Sequence, residues 1–399
     1  MADLRTQVLV VGGGHAGYEA ALASARMGVK TTLVTLDSNQ IGRLPCNPAV
    51  GGIAKSHLVS EVDALGGEIA RNADFTGIQY RMLNTRKGPA VQSNRIQCDK
   101  NAYPLRIQKI LMQQENLTII DDMVLSIDTS KNKIKSITTR SYGTIYASCI
   151  IICTGTFLRG RVLIGKTVVA EGRAGEESAE ALSSSFEEFG FDLARLKTGT
   201  PPRVHRDSIN YSRIEEQPGE EPPPFFSYDA KKMWNENKDE LFHVEQSDEM
   251  PWFPGKNQVS CYLTHTNEKT HQIIADHLHE SAMYGGMVEG TGVRYCPSIE
   301  DKIVKFASRD AHHVFIEPEG RDNIRLYPNG TSNSLPESVQ IKMIRSIQGM
   351  ENAEIIRPGY AIEYDFADPT QLFHTLETKK VEGLFFAGQL NGTTGYEEA

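Results

Sequence analysis

Two of the six cysteines stand where a thiol has work to do. Cys46 lies in LPCNPAVGG, Leu44 to Gly52, between prolines and just before a helix expected over Lys55 to Leu65. A thiol near a helix N-terminus has its thiolate stabilised by the positive helix end, which suits covalent or acid/base work. Cys296 lies in RYCPSIEDK, Arg294 to Lys302, where Pro297 interrupts regular structure and two cations lie within six residues. Such surroundings lower a thiol pKa and activate the sulfur as a nucleophile. Cys149 and Cys153 fall on an apolar run and are expected in the core, whereas Cys98 and Cys261 sit in no motif. No C-x-x-C pair occurs, which argues against a disulfide framework and a zinc ribbon. His265, His271, His277 and His279 have no carboxylate partners at metal-ligand spacing, and no metal is expected.

These thiols need a scaffold, and the N-terminus supplies its signature. Gln7 to Val11 is a short apolar run of the kind that buried parallel strands favour. It is followed at once by Gly12, Gly13, Gly14, His15, Ala16 and Gly17, which places G-x-G-x-x-G on a strand-to-helix turn. Tyr18 to Met27 reads as a helix with small alanines toward a sheet, Gly28 stops it, and Thr31 to Leu36 reads as a second strand. Glycines are needed there because the turn is tight and a pyrophosphate must approach bare N–H groups at the positive helix end. The acidic side chain that would hold a ribose is not fixed: Thr35 closes the second strand, Asp37 follows, and either could serve. Ala147 to Gly155 (ASCIIICTG) and Leu384 to Gly388 (LFFAG), with Gln389 next, are two more apolar strands ending in glycine. That three-part layout is the one of two-dinucleotide flavoproteins and favours FAD over a lone NAD fold. In disulfide-reducing flavoenzymes a C-x4-C pair follows the second strand, but positions 41 and 51 are Ile and Gly, so Cys46 is a lone thiol.

A chain of 399 residues allows two or three domains, and 39 % apolar residues suit a soluble globular protein. No run approaches the ~18–20 apolar residues of a bilayer span. The buried-strand pattern begins by Gln7, leaving no room for a signal peptide, so a cytoplasmic location without membrane contact is expected. The net charge of −9 disfavours non-specific coating of nucleic acid but not a local basic site. Arg71 to Ile110 is such a stretch, with eight Lys/Arg against two acids, whereas Glu215 to Glu249 carries eleven acids against three lysines. The segment from Val204 to Glu280, with Pro222-Pro223-Pro224 and both tryptophans, breaks the strand-turn-helix rhythm and reads as an insertion. The expected fold is α/β: a Rossmann-like FAD-binding domain of the two-dinucleotide flavoprotein type with an inserted α+β domain. Its first part is 1–203, the insertion 204–280, and 281–399 carries a nicotinamide-contacting segment and the return to the FAD-binding domain.

GGGHAGYEAA, PCNPAVGGIAKSHLVSEVDALGG, RLKTGTPPR, THTNEKTH, RYCPSIEDK, EPEG, YPNG, RPGYAIEYD and FFAGQLNGTTGYEEA span the chain. Together they resemble the large flavoprotein subunit of the tRNA uridine 5-carboxymethylaminomethyl modification enzyme, also called glucose-inhibited division protein A. The resemblance is weakest between Arg206 and Gln258. It implies FAD contacts from Gly12 to Gly17, from the strand containing Val124 and from Gln389. It implies a nicotinamide contact from Gly292 to Phe306, including Val293, Arg294, Tyr295, Pro297, Ser298, Ile299, Glu300, Asp301 and Lys302. It further implies a homodimer working with a GTPase partner on the wobble uridine of tRNA, with methylenetetrahydrofolate as one-carbon donor, glycine or ammonium as amine and NADH as electron source. On this reading Cys296 adds to uracil carbon 6 and Cys46 handles the proton at carbon 5, or the reverse. Arg86, Lys87 and Arg95, in RMLNTRKGPAVQSNR, would hold anticodon-loop phosphates.

The sequence departs from the family pattern at Ala54 and Ser56, where glycines are usual, and it stops at Ala399, without the helical C-terminal domain that the resemblance implies. The competing readings are the folate- and FAD-dependent tRNA uracil-5-methyltransferase, a shorter relative, a small-molecule flavin oxidoreductase, and a non-catalytic flavin scaffold. PCNPAVGG, RYCPSIEDK and GQLNGTTGYEEA favour the wobble-uridine family.

Overall fold

The computed structural model describes residues 4–237, 253–292 and 297–393. β1 (Leu4–Val11) runs into a glycine turn and α1 (His15–Arg26), and β2 (Thr31–Thr35) returns parallel to β1. α1 buries Gly17, Tyr18, Ala21, Leu22 and Ala25, the three-and-four spacing of a helix laid on a sheet. Past Cys46 the chain makes β3 (Ala49–Gly51), α2 (Ser56–Ala64), α3 (Ile69–Thr76), β4 (Gly77–Leu83) and β5 (Ser93–Cys98), the strands pairing in the order β3-β5-β4. α4 (Ala102–Gln113) then leads to β6 (Leu117–Asp121), which adds parallel to β2. A hairpin of β7 (Val124–Ser130) and β8 (Lys133–Thr139) precedes the central strand β9 (Thr144–Ile152).

β9 lets the two ends of the chain meet. One edge pairs with β1, from Leu4 opposite Ile145 to Val11 opposite Ile152. On the other edge β8 takes only Thr144 to Tyr146, so the stretch from Ile150 to Ile152 accepts the closing strand Leu384–Phe386 in parallel. The sheet is thus seven strands, six of them from the first 152 residues and one from the far end. Leu9, Ile137, Ile145, Ile150, Ile152, Leu384 and Phe386 belong to one apolar cluster on this sheet and are fully buried.

A five-stranded sheet contains Arg161–Ile164, Thr167–Val169, Leu193–Thr200, Thr291–Gly292 and Tyr360–Ala367. A six-stranded sheet is built from Arg203–His205, Glu215–Gln217, Cys261–His265, His313–Pro318, Arg325–Asn329 and Ile355–Arg357. The segment 204–280 therefore does not close on itself: Cys261–His265 pairs with His313–Pro318, and Val204 pairs with Leu326. Its proline-rich part packs elsewhere, with Phe225, Phe226 and Trp234 against Tyr80, Ile96 and Cys98. Asp74 at the end of α3 pins that packing by accepting from the backbone N–H groups of Phe226 (3.0 Å) and Ser227 (2.6 Å) and from the Ser227 hydroxyl (2.6 Å). Burial raises the Asp74 carboxyl to about 7 even against those three bonds.

Of the two cysteines expected in the core, Cys153 is buried beneath the glycine turn, but Cys149 is partly exposed. The reason is strand alternation: Ile150 and Ile152 take the sheet's inner face, leaving Cys149 on the other.

Candidate active site

The ends of β1, β2, β9 and the closing strand open into a cleft, and Val11 to Ala16, Thr35, Asp37, Cys46, Val124, Thr154 and Gln389 all line it. Its floor is the glycine turn, where each glycine of the fingerprint has its own reason. Gly12 has φ +107°, and a Cβ there would run into the Cys153 carbonyl. A Cβ on Gly17 would collide with the Gly12 carbonyl, so this glycine lets α1 close on the turn. Gly14 is different: a Cβ there meets no atom within 4 Å, because its backbone faces open space at the start of α1. A bare backbone that no protein atom covers, at the positive end of a helix, is a cradle for a pyrophosphate. Thr154, at the end of β9, lines the same cleft with a buried hydroxyl oxygen that has no partner in the protein. The fit to a dinucleotide rests on these two observations.

Around the cradle, Thr35 packs against Gly13, while the Asp37 carboxylate accepts from the Asn39 backbone N–H at 2.9 Å. That bond above all lowers the Asp37 pKa, so a ribose-binding carboxylate would be ionised there. The His15 Nε2 lies 3.1 Å from the Tyr103 hydroxyl, and burial, then the charge of Arg173, drives its pKa down to about 3. His15 is therefore a neutral hydrogen-bonding group.

Cys46 lies on the wall of this cleft, held from behind by groups far away in sequence. Its Sγ is 3.1 Å from the Tyr327 hydroxyl and 3.6 Å from the Gly199 carbonyl oxygen. Its own carbonyl accepts from Arg203 Nη2 at 3.1 Å, and Lys100 Nζ lies 3.5 Å away. The fully buried Arg203 uses all five of its N–H groups: Nε on Glu319 (2.7 Å), Nη1 on the Thr200 hydroxyl (2.7 Å) and the Pro201 carbonyl (2.6 Å), Nη2 on the Pro45 (3.2 Å) and Cys46 carbonyls. Its guanidinium also stacks on the Tyr327 ring, 4.6 Å from the centroid. Lys100 reaches the same Glu319 oxygen at 2.7 Å. Burial alone would raise the Glu319 carboxyl, but Lys100 and Arg203 together hold it down at about 2. Two cations on one carboxylate leave the region behind Cys46 positive.

Residues expected from sequence to act together do not all meet. Gly12 to Ala16, Val124, Gln389 and Cys46 share the cleft. Val293, Arg294, Tyr295 and Cys296 lie outside the described residues. Gly292 ends a strand beside Leu196 and Lys197 and is exposed. Ser298 caps the short helix Ile299–Lys305 through the Asp301 N–H, and Ile299, Glu300 and Asp301 face inward. Glu300 accepts from the Ser281 hydroxyl (3.0 Å) and the Ser334 backbone N–H (2.8 Å), and Lys302 donates to the Gly330 carbonyl (3.0 Å). Gly292 and the residues Pro297 to Lys302 are not in the cleft wall. Arg86 and Lys87 are exposed on the turn after β4, but Arg95 is on β5, paired with the buried Glu317 at 2.7 Å. Among the described residues no three His, Cys, Asp or Glu side chains gather as a metal site, and no helix is long and apolar enough to cross a membrane. Arg203, Glu319 and Tyr327 were missed as site residues although RLKTGTPPR, EPEG and YPNG contain them, or border them, because nothing local in those strings points to Cys46. Ala54 has φ +63°, a left-handed backbone, which is the physical content of the departure at that position.

Comparison with known proteins agrees across the whole chain. The sequence model described as Glucose inhibited division protein A matches residues 7–399. The tRNA uridine 5-carboxymethylaminomethyl modification enzyme MnmG of Aquifex aeolicus (strain VF5) is 51 % identical over 393 residues, covering 98 % of this chain and 61 % of its own. The enzyme of the same name from Sulfurihydrogenibium sp. (strain YO3AOP1) is 49 % identical over 399 residues, 100 % of this chain and 62 % of its own. The form I crystal structure of Aquifex aeolicus GidA superposes with a TM-score of 0.88 at 50 % identity, over 98 % of this chain and 63 % of that one. The form II crystal gives 0.87 at 49 % identity, over 98 % and 60 %. The chain thus spans about three-fifths of the length of the curated relatives it matches. On the family match and on both relatives, this chain belongs to the glucose inhibited division protein A family.

Proposed function

We propose that this chain is the FAD-binding part of an enzyme that, with a GTPase partner, adds an aminomethyl or carboxymethylaminomethyl group to carbon 5 of the tRNA wobble uridine. The observation that carries the reading is the placement of Cys46: a thiol on the wall of the same cleft that holds the dinucleotide cradle. Family membership supports the same activity, since both relatives above bear the name of a tRNA uridine modification enzyme.

FAD, when bound, supplies the redox chemistry that links NADH to the one-carbon unit of methylenetetrahydrofolate. Gly14 and the start of α1 take its pyrophosphate, Asp37 its ribose, and Val124 and Gln389 flank it. The nicotinamide contact is assigned to the exposed strand end at Gly292 and the segment that follows; the inward-facing Glu300 and Asp301 hold the adjoining helix instead. Uracil carbon 5 is a poor nucleophile. The Cys296 thiolate adds at carbon 6, the carbon 5–carbon 6 double bond opens, and carbon 5 gains the electron density to bond the one-carbon unit, which parts from the folate and carries the nitrogen of glycine or ammonium. Cys46 then removes the proton from carbon 5, the double bond re-forms, and the carbon 6–sulfur bond breaks to return the thiolate. Arg86 and Lys87, exposed on one turn, meet the anticodon-loop phosphates. The enzyme acts as a cytoplasmic homodimer.

In the full-length enzyme, Cys296→Ser and Cys46→Ser should each keep the flavin absorbance and NADH oxidation while lowering tRNA modification at least ~100-fold, the scale of a lost acid/base or covalent group. Retained modification in either variant overturns the role given to that thiol.

A further inference from the structure

We propose that Tyr327 is the proton partner of Cys46, a positioning residue that donates its hydroxyl hydrogen to the Cys46 sulfur, with Arg203 fixing both. The inference rests on the reading of Cys46 as a reacting thiol and adds to it the group that sets its protonation.

The hydroxyl lies 3.1 Å from Sγ, close for a contact to sulfur, and the bond joins residues 281 apart in the chain. The directions of the hydrogen bonds are constrained. The Gly199 carbonyl can only accept, so the thiol proton points there, and Sγ is left to accept from Tyr327. When the thiol gives up its proton, the hydroxyl remains as a donor to the thiolate, and a bond to an ionised acceptor is the stronger kind. Tyr327 is itself buried and does not line the cleft, whereas Cys46 does. The hydroxyl is therefore behind the sulfur, where substrate does not reach, and acts through Cys46 alone.

Cations outnumber carboxylates around the pair. Arg203 stacks on the Tyr327 ring and holds the Cys46 carbonyl, and Lys100 reaches the same carbonyl. Glu319 is shared between those two cations. Burial first, then neighbouring cations that include Arg203 and Arg357, lowers the Lys100 pKa, and burial, then Arg203, lowers that of Arg357. Arg95, which reaches Asn47 next to Cys46, is matched by Glu317. Two carboxylates thus face four cations. Arg203 spends every N–H on fixed acceptors, so the ring it covers and the loop it holds keep one relative position.

The test is the pH dependence of Cys46 alkylation by iodoacetamide in the full-length, flavin-loaded protein, followed by peptide mass spectrometry so that each cysteine is read separately. Tyr327→Phe keeps the ring under Arg203 and removes only the hydroxyl. It should move the Cys46 midpoint up by about one pH unit, the loss of one hydrogen bond to a charged acceptor, and leave the Cys149 profile unchanged. A fluorinated tyrosine at 327, a stronger donor of the same shape, should move the midpoint down, and it serves if Tyr327→Phe does not fold. An unchanged midpoint in a folded variant of either kind overturns the proposal. The outcome is separable from the role of Cys46: if Cys46→Ser still modifies tRNA while Tyr327→Phe shifts the alkylation midpoint, the functional reading of Cys46 falls and the pairing stands.

Discussion

A methyl group on Gly14 would touch nothing in the protein, whereas one on Gly17 would strike the Gly12 carbonyl. Gly14 also has φ −71°, which any L-residue adopts, so its side chain is absent for the sake of something the protein itself does not contain. Gly14→Ala should therefore leave thermal stability within ~0.5 kcal/mol and weaken FAD binding, while Gly17→Ala should destabilise the fold by roughly 1–3 kcal/mol. Denaturation curves and flavin titration of the two variants check this; equal loss of stability in both would remove the case for a pyrophosphate at Gly14. Such a division is legible in sequence because one turn contains all its parts. The surroundings of Cys46 are not: Arg203 and Glu319 are 116 residues apart, and Tyr327 faces a sulfur on a loop from another sheet. No local period or spacing encodes that meeting.

At the scale of elements, the basic stretch of Arg71 to Ile110 separates into parts with different tasks. Strand β5 turns Arg95 inward to the 1 % exposed Glu317, whereas the turn after β4 presents Arg86 and Lys87 to solvent. Charge counting alone cannot tell them apart, because it does not see which strand residues face a buried carboxylate. Arg95→Ala should cost about 3–5 kcal/mol by leaving Glu317 buried without its cation. Arg86→Glu with Lys87→Glu should leave stability unchanged within ~0.5 kcal/mol, weaken tRNA binding and reduce the slope of its salt dependence by ~1–2. Binding isotherms at several salt concentrations and denaturation of the same proteins measure both; an unaltered salt slope would return the turn to an ordinary solvated surface. The helix Ile299–Lys305 makes a similar point, since its first acids are consumed by its own cap and by Ser281 and Ser334. A motif that reads as ligand-binding in sequence also has to hold its own backbone.

At the scale of the molecule, the α/β organisation and the joining of both chain ends in one sheet were legible, because apolar runs ending in glycine turns mark buried parallel strands wherever they occur. The reach of the inserted segment was not. Its composition sets 204–280 apart, but Cys261–His265 completes its pairing only with His313–Pro318, and strand partners leave no trace in composition. The architecture that results brings the dinucleotide cradle of the first sheet, Gly199 of the second and Tyr327 of the third to one thiol. The central claim is that this assembly serves wobble-uridine modification, and mass spectrometry of nucleosides from bulk tRNA of cells lacking the full-length gene tests it most directly. The account predicts loss of 5-carboxymethylaminomethyl-type wobble uridines, restored by the wild-type gene and not by Cys46→Ser; an unchanged nucleoside profile would contradict it.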